Sequence, residues 1–135
     1  MATTTATITL ASTDMMDNSI SISNTATLST AGTETGLTET TGLARRKFAS
    51  SSKVDLVTIA NTDVGADKST KIFIRNTNAR DASKHVLILI NSQEIGRLYG
   101  GDWMFIPLQG SSGEDVELDP NSTEETIIEY MVFFE

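Results

Sequence analysis

Apolar and polar residues alternate in the N-terminal part of the chain. Between residues 19 and 28, the even positions are Ile, Ile, Asn, Ala and Leu, whereas every odd position is Ser or Thr. Residues 7–10 repeat this alternation over a shorter stretch. A period of two residues is typical of a β-strand with one apolar face. Because such strands bury only small side chains, we predict that they complete a sheet of the remaining chain or of a neighbouring molecule.

Seven segments with strand character follow in the C-terminal two-thirds of the chain, and turn-forming residues separate them. The apolar run at residues 86–90 predicts a central strand, and Asn91 and Ser92 after it predict a tight hairpin. In the last segment both alternating sets are largely apolar, so we expect one set in the core and the other against a partner. The seven segments comprise residues 54–59, 71–76, 85–90, 94–98, 103–108, 115–118 and 126–134.

An all-β fold follows from these patterns, because regularly spaced strand segments without a helical period are typical of antiparallel sandwiches and jelly rolls. We predict an antiparallel β-sandwich or jelly-roll-like domain at residues 53–135. Before it, at residues 1–52, we predict an extended Ser/Thr-rich N-terminal arm. Within this arm, residues 32–52 contain three glycines and no sustained period, which indicates a loop or linker.

Charge is distributed unevenly along the chain of 135 residues, whose formal net charge is −8. Residues 1–44 carry four acids and no base, residues 45–97 carry ten bases and five acids, and residues 98–135 carry nine acids and no base. Oppositely charged blocks can pair across neighbouring strands or subunits. The acidic excess repels nucleic acid and anionic lipid, so we expect neither nucleic acid nor membrane as a partner. We also expect a protein without a secretion signal or membrane span.

The composition gives little support to catalytic or metal-binding chemistry. The chain has no Cys, and its single histidine, His85, opens the most hydrophobic strand segment, where we expect a structural role. A nucleophilic triad or a transition-metal site needs more groups of these kinds. The acids between residues 114 and 125 lack the spacing of a calcium loop, and we interpret them as a solvated acidic edge. We therefore expect no enzyme, no catalytic residue, no cofactor and no metal.

Two segments are candidates for contact with a partner. Residues 45–48 contain the chain's one basic cluster followed by a large apolar residue, and pairing at an interface fits them better than phosphate contact. Residues 99–103 place two aromatic side chains around a glycine turn, where they belong either to the core or to an aromatic platform for a partner or sugar. The candidate contact residues are Arg45, Arg46, Lys47, Phe48, Tyr99 and Trp103.

Four short pieces in the second half of the chain occur in a recognisable order. They are KIFIRNT at residues 71–77, QEIGRL at 93–98, YGGDW at 99–103 with PL at 107–108, and IEYMVFFE at 128–135. This order of a strand ending in Asn-Thr, a hairpin, a glycine-acid turn into an aromatic strand and a closing Glu-Tyr strand resembles small virion proteins of tailed phages. The resemblance is to those of marine and cyanobacterial phages that are encoded near capsid genes.

The resemblance implies a capsid decoration (cement) protein that binds the exterior of an assembled shell and stabilises it through contacts between subunits. Its partners would be the major capsid protein and other copies of the chain, in a homo-oligomer such as a trimer, after synthesis in the host cytoplasm. Residues 1–44 would engage neighbours or the capsid, and residues 45–47 would dock on an acidic capsid surface. Two alternatives stay open: a carbohydrate- or receptor-binding module of a tail or fibre that uses Tyr99 and Trp103, and a tail-tube, neck or connector component.

Overall fold

The structure, a computed structural model, describes residues 4–13, 19–28, 39–40, 42–48, 52–59, 70–81, 84–108, 114–121 and 125–134. Strands are the one kind of regular secondary structure in these ranges, and every strand pair is antiparallel. The predicted all-β, antiparallel sandwich is therefore confirmed.

Eleven strands lie within the described ranges, and three of them have the predicted bounds. In chain order they are β1 (Thr4–Ser12), β2 (Ile20–Leu28), β3 (Glu39–Thr40), β4 (Ala44–Phe48), β5 (Val54–Ile59), β6 (Thr70–Asn76), β7 (Val86–Ile90), β8 (Gln93–Leu98), β9 (Trp103–Leu108), β10 (Glu114–Pro120) and β11 (Thr126–Phe134).

Strand β11 lies in the interior of a five-stranded sheet. One of its edges pairs with β6, and β9 continues the sheet beyond β6. Its other edge pairs with β4 and then with β3. β3 and β4 follow one another along the same edge of β11, and between them Gly42 has a φ of 72°, which lies in the left-handed region that glycine adopts without strain.

The second sheet has four strands in the order β5-β10-β7-β8, so the apolar run at β7 is an interior strand as predicted. The predicted hairpin between β7 and β8 is also present. Asn91 and Ser92 both have positive φ, at 49° and 64°, as a two-residue turn between twisted antiparallel strands requires.

The two sheets pack through their inner faces, which alternate with outer faces along each strand. On β6, Ile72 and Ile74 point inward and are fully buried, whereas Phe73 and Arg75 lie on the outer face. Val116 and Leu118 of β10 are buried in the same cluster, from the opposite sheet. A core of this kind forms because the period-two pattern places the aliphatic side chains of both sheets towards each other.

Two expectations need correction. Residues 39–40 and 44–48, predicted as loop or linker, form strands that pair with β11. The prediction failed because this pairing depends on distant residues and leaves no local alternation of apolar side chains. The two N-terminal strands pair with each other as a separate two-stranded sheet, hereafter the hairpin, and with no other described strand. An extended arm and a domain boundary at residue 52 stay predictions, although β4 before that boundary hydrogen-bonds to β11.

Candidate interaction surface

The hairpin has one apolar face and one hydroxyl face. In its register Leu10 lies opposite Ile22, and Ile8 opposite Asn24, so the large aliphatic side chains share one face. On the other face, the hydroxyl oxygens of Thr7 and Thr25 are 2.8 Å apart and form a hydrogen bond. The Ser/Thr alternation thus supplies hydroxyl contacts across the strands and leaves the apolar side chains for a different contact.

The open end of the hairpin lies over the outer face of the five-stranded sheet. Leu28, the last residue of β2, is 1% exposed. Together with Thr4 and Ala6 of β1 it faces Phe133 across an open groove of about 560 Å³. The outer face contributes the other apolar walls of this groove, which are Phe73, Trp103 and Phe105. Among the described residues of β1 and β2, Leu28 is the buried one, and we infer that it anchors the hairpin to the sandwich.

Beyond this anchor, the apolar face of the hairpin is open to solvent. Ile8, which also lines the groove, is 43% exposed, and Leu10 and Ile22 are 59% and 49% exposed. We call these three residues the distal patch. No charged residue occurs at positions 4–13 or 19–28. Exposed aliphatic side chains on an uncharged two-stranded sheet are typical of a surface that another molecule covers.

The aromatic candidates have different surroundings. Trp103 is 47% exposed at the groove, and its ring centroid lies 6.4 Å from that of Phe73. Tyr99 is half-buried and lies against the His85 ring, with 5.3 Å between centroids. The partly exposed Trp103 can contact a ligand in the groove, whereas Tyr99 packs on the buried histidine. A platform that contains both rings stays a prediction.

The basic candidates contact groups of the same chain. Arg45 Nε donates to Glu129 Oε1 at 2.6 Å, and Lys47 forms an ion pair with Glu125. Arg46 Nη1 donates to the carbonyl oxygen of Asp55 at 2.5 Å. Its guanidinium carbon also lies 5.2 Å from the centroid of the Phe48 ring. Two bases of the cluster, Arg45 and Lys47, therefore pair with acids of the C-terminal block within the molecule.

Phe48 and Glu129 are the buried members of this region. Phe48 is 6% exposed in the core, which leaves little of its side chain for a partner. Glu129 is 7% exposed and lies between Arg45 and Arg75, whose Nη1 is 4.0 Å from Glu129 Oε2. A single acid in an otherwise apolar strand is a sequence signal for a nearby base, and this signal could have identified Glu129.

A second buried acid, Glu117, joins the β7–β8 turn to β5 and β10. Lys53 Nζ is 2.6 Å from Glu117 Oε1, and the backbone N–H of Ser92 donates to Glu117 Oε2 at 2.5 Å. The hydrogen bond from Lys53 is the largest cause that lowers the pKa of the Glu117 carboxyl, and the same bond raises the pKa of Lys53. Glu117 is therefore a structural ion-pair residue, and the predicted solvated acidic edge does not apply to it.

The motif pieces at residues 76–77 and 100–102 meet at one end of the sandwich. Asn76 is fully buried, and its Nδ2 donates to the carbonyl oxygens of Leu98 and Lys84 at 3.2 and 3.4 Å. Its Oδ1 accepts from the backbone N–H and from Nδ2 of Asn78. Its backbone carbonyl accepts from Gly101 N–H at 2.8 Å. These contacts explain why Asn76 and the glycine turn occur together: they hold β6 and the β8–β9 connection to each other.

Within the described ranges, no group of three or more His, Asp or Glu residues is placed to hold a metal ion. The same ranges contain no helix of the length and apolarity needed to cross a membrane. Comparison of the chain with protein-family models, with curated proteins and with solved structures finds no match.

Proposed function

We propose that the protein is a capsid decoration (cement) protein of a tailed-phage virion, which binds the assembled shell and stabilises it through contacts between subunits. The observation that carries the proposal is the hairpin, an uncharged β-element with exposed aliphatic residues that is anchored to a sandwich by one end. The order of motif pieces between residues 71 and 135 supplies the resemblance to virion proteins. A two-stranded element of this kind presents a large contact area from few residues.

The charge arrangement supports adhesion through the hairpin rather than through the basic cluster. Arg45, Arg46 and Lys47 each have a partner in the same chain, so docking on an acidic shell surface would have to compete with those contacts. Their side chains are still well exposed, at 72% for Arg45 and 59% for Lys47. In the docking that we propose, Arg45 would bridge Glu129 and an acid of the shell, Lys47 would bridge Glu125 and such an acid, and Arg46 would add a third positive charge.

The first experiment measures whether the chain is a stoichiometric component of the particle. Virions are purified from the phage that encodes the chain, and the copy number of the chain relative to the major capsid protein is determined. A decoration protein is expected at a fixed ratio, and particles that lack it are expected to lose their DNA at lower temperature. A chain that is absent from purified virions refutes the proposal.

The docking role of residues 45–47 needs a variant that keeps the fold. Reversal to acids would place like charges against Glu129, so neutralisation to Gln at all three positions is the better change, with Arg97→Gln on β8 as the single-charge control. Reduced shell occupancy for the triple variant, at unchanged thermal stability, supports docking. Unchanged occupancy refutes it and leaves the decoration role untouched.

Receptor or carbohydrate binding is the second candidate, and the exposure of Trp103 at the groove favours it. Aromatic faces stack on sugar rings, and Thr4, Thr5 and Thr7 line the same groove. A glycan array with the wild type and with Trp103→Ala tests this candidate, with Ile95→Ala, equally exposed on β8, as the control. A specific signal that disappears only with Trp103→Ala supports binding, and no signal for the wild type refutes it.

A tail-tube, neck or connector role is distinguished by position in the particle. Imaging of the intact virion places the chain either on the shell or on the tail axis. Density on the shell exterior supports decoration, and density at the neck or tail refutes it.

A further inference from the structure

The groove between the hairpin and the outer face of the five-stranded sheet has the size of a small-molecule site. Its volume of about 560 Å³ lies within the range of about 300–1,000 Å³ that is usual for such sites. Two pairs of aromatic rings form its walls. The ring centroids of Phe73 and Trp103 are 6.4 Å apart, and those of the second pair, Phe105 and Phe133, are 5.9 Å apart with the rings at 69°. Rings in such tilted arrangements offer both faces and edges to a further aromatic ring.

Unlike the distal patch, the groove includes a charged side chain. Of the described residues that line it, Arg75 alone is charged, and its side chain is 52% exposed. In a mainly apolar site, a few polar groups fix the orientation of the ligand. A ligand of this groove is therefore expected to carry its charge at the end that meets Arg75, and the sign of that charge is negative.

The acid opposite Arg75 in the sheet already has another partner. Arg45 Nε donates to Glu129 Oε1 at 2.6 Å, whereas Arg75 Nη1 lies 4.0 Å from Glu129 Oε2. Glu129 is buried and does not line the groove. Asp102, in the turn before β9, is likewise engaged, because its Oδ1 accepts from Arg80 at 3.1 Å. These two acids each have a base of their own, which leaves the charge of Arg75 to a ligand.

The charge near the groove differs from the net charge of −8 of the whole chain. Period-two alternation places Lys71 on the same outer face of β6 as Arg75. Asp14 and Asp17, the acids that the sequence places between β1 and β2, follow the far end of the hairpin, whereas the groove lies at its open end. The nine residues of β1 separate these ends by about 26 Å, and a field is screened within about 10 Å at 0.1 M salt. Attraction of an anion to the groove is therefore governed by the bases of β6.

We propose that the groove binds an aromatic carboxylate, with its carboxylate at Arg75 and its rings along Trp103 and Phe105. The register supports this direction. Arg75 lies opposite Trp103, and Phe73 lies opposite Phe105, so the cation and the aromatic walls follow each other along β6. A guanidinium matches a carboxylate through two parallel hydrogen bonds. The inference goes beyond the proposed function, since a decoration role does not require it, and it competes with a sugar for the same groove.

Titration calorimetry of the full chain with biphenyl-4-carboxylate tests the proposal. The matched control ligand is biphenyl-4-methanamine, which has the same rings and a positive charge at neutral pH. We expect a Kd of about 1 mM or lower for the carboxylate, and binding of the amine that is weaker by about tenfold or more. Trp103 is the one tryptophan of the chain, so a change in its fluorescence on binding places the carboxylate in the groove.

Variants at Arg75 identify the group that recognises the carboxylate. Arg75→Gln is expected to weaken carboxylate binding by about tenfold, without weakening binding of the amine. Arg97→Gln makes the same change in net charge on β8 of the other sheet, and its effect is expected to be less than about twofold. Arg75→Lys keeps the charge without the paired hydrogen bonds, so an intermediate affinity is expected. Circular dichroism and thermal unfolding verify that the variants fold.

Three results would overturn the proposal. They are a wild type that does not bind the carboxylate at about 5 mM, equal affinities for the carboxylate and the amine, and equal effects of Arg75→Gln and Arg97→Gln. A glycan signal that Trp103→Ala abolishes, without binding of the carboxylate, assigns the groove to a sugar and also overturns it.

Failure of this inference and failure of the proposed function give different results. Binding of the carboxylate by a chain that is absent from purified virions refutes decoration and leaves the groove site standing. A chain that is present on shells at a fixed ratio and binds neither probe refutes the groove site alone.

Discussion

The close approach of two loops at Gly100 gives a sharp prediction for Gly100→Ala. A Cβ at this position would lie 2.2 Å from the carbonyl oxygen of Ala79 and 2.6 Å from that of Asn78. The shorter distance falls about 1.2 Å below ordinary contact, and both atoms belong to the backbone, so a side chain cannot rotate away. Because the φ of Gly100 lies outside the left-handed region, the requirement for glycine is one of space alone.

The cost follows from what must move. Displacing residues 78–79 by about 1 Å strains the contacts that Asn76 makes beside them, including the 2.8 Å bond from Gly101 N–H to its carbonyl. Overpacking costs about 1–3 kcal/mol, and a weakened hydrogen bond in a buried position adds about 1 kcal/mol. We therefore expect a loss of about 3 kcal/mol in the free energy of unfolding, or about 1.5 M in the urea midpoint at an m-value of about 2 kcal/mol/M.

Urea unfolding followed by circular dichroism measures this loss, and Gly96→Ala on β8 is the control. A Cβ at Gly96 meets no atom within 4 Å, and the backbone conformation there suits alanine. The control is expected to be neutral or more stable by up to about 1 kcal/mol, since alanine restricts the unfolded chain. A Gly100→Ala midpoint within about 0.3 M of the wild type, at an unchanged m-value, would refute the reasoning.

Three further predictions concern the core, the Lys53–Glu117 pair and the anchor. Thr70 is fully buried, and its hydroxyl has no hydrogen-bond partner among the described residues. Thr70→Val is therefore expected to raise the free energy of unfolding by about 1 kcal/mol. A lower free energy of unfolding for this variant would contradict the reasoning. Because the folded pKa of Glu117 is lowered from 4.5, its ion pair stabilises the fold fully above that pH and is lost as pH falls below it. The stability deficit of Glu117→Gln at neutral pH should therefore shrink in acid, and because the pKa of Lys53 is raised from 10.5, it should also shrink as pH rises above that value. A deficit that is constant from neutral to acid pH would contradict the pairing. Leu28→Ala is expected to release the hairpin from the groove, so that acrylamide quenches the fluorescence of Trp103 more strongly. The urea midpoint of the sandwich is expected to change by less than about 0.5 M. Unchanged quenching would show that Leu28 is not the anchor.

Strands with a local signal could be predicted from the sequence. Alternation or an apolar run located β2, β7 and β11, and the Asn91-Ser92 pair located the turn between β7 and β8. Each of these patterns depends only on residues that are neighbours in the sequence. Strand β4 could not be found this way. Its sequence, Ala-Arg-Arg-Lys-Phe, has no apolar alternation, and it forms a strand by pairing with β11, some eighty residues later, where Glu129 also lies beside Arg45.

The candidate site was predicted in part. The apolar face of the Ser/Thr-rich segment was evident from its period, but its partner was not, because two alternating strands pair equally well with each other and with a neighbour. The basic cluster stood out by composition alone, and composition does not reveal that Arg45 lies beside a buried carboxylate. Burial of Glu117 and Glu129 is likewise a property of the assembled sheets rather than of any short segment.

The position of β11 has a consequence for how the protein is made. Of the eleven described strands it is the last to leave the ribosome. Among the described strands, β3 and β4 pair with β11 alone, and β11 supplies one of the two pairing edges of β6. A chain whose synthesis stops before residue 126 lacks the strand between β4 and β6, and Arg45 stays without the Glu129 carboxylate. The five-stranded sheet therefore closes only after translation has passed this strand, so interrupted products cannot complete the fold.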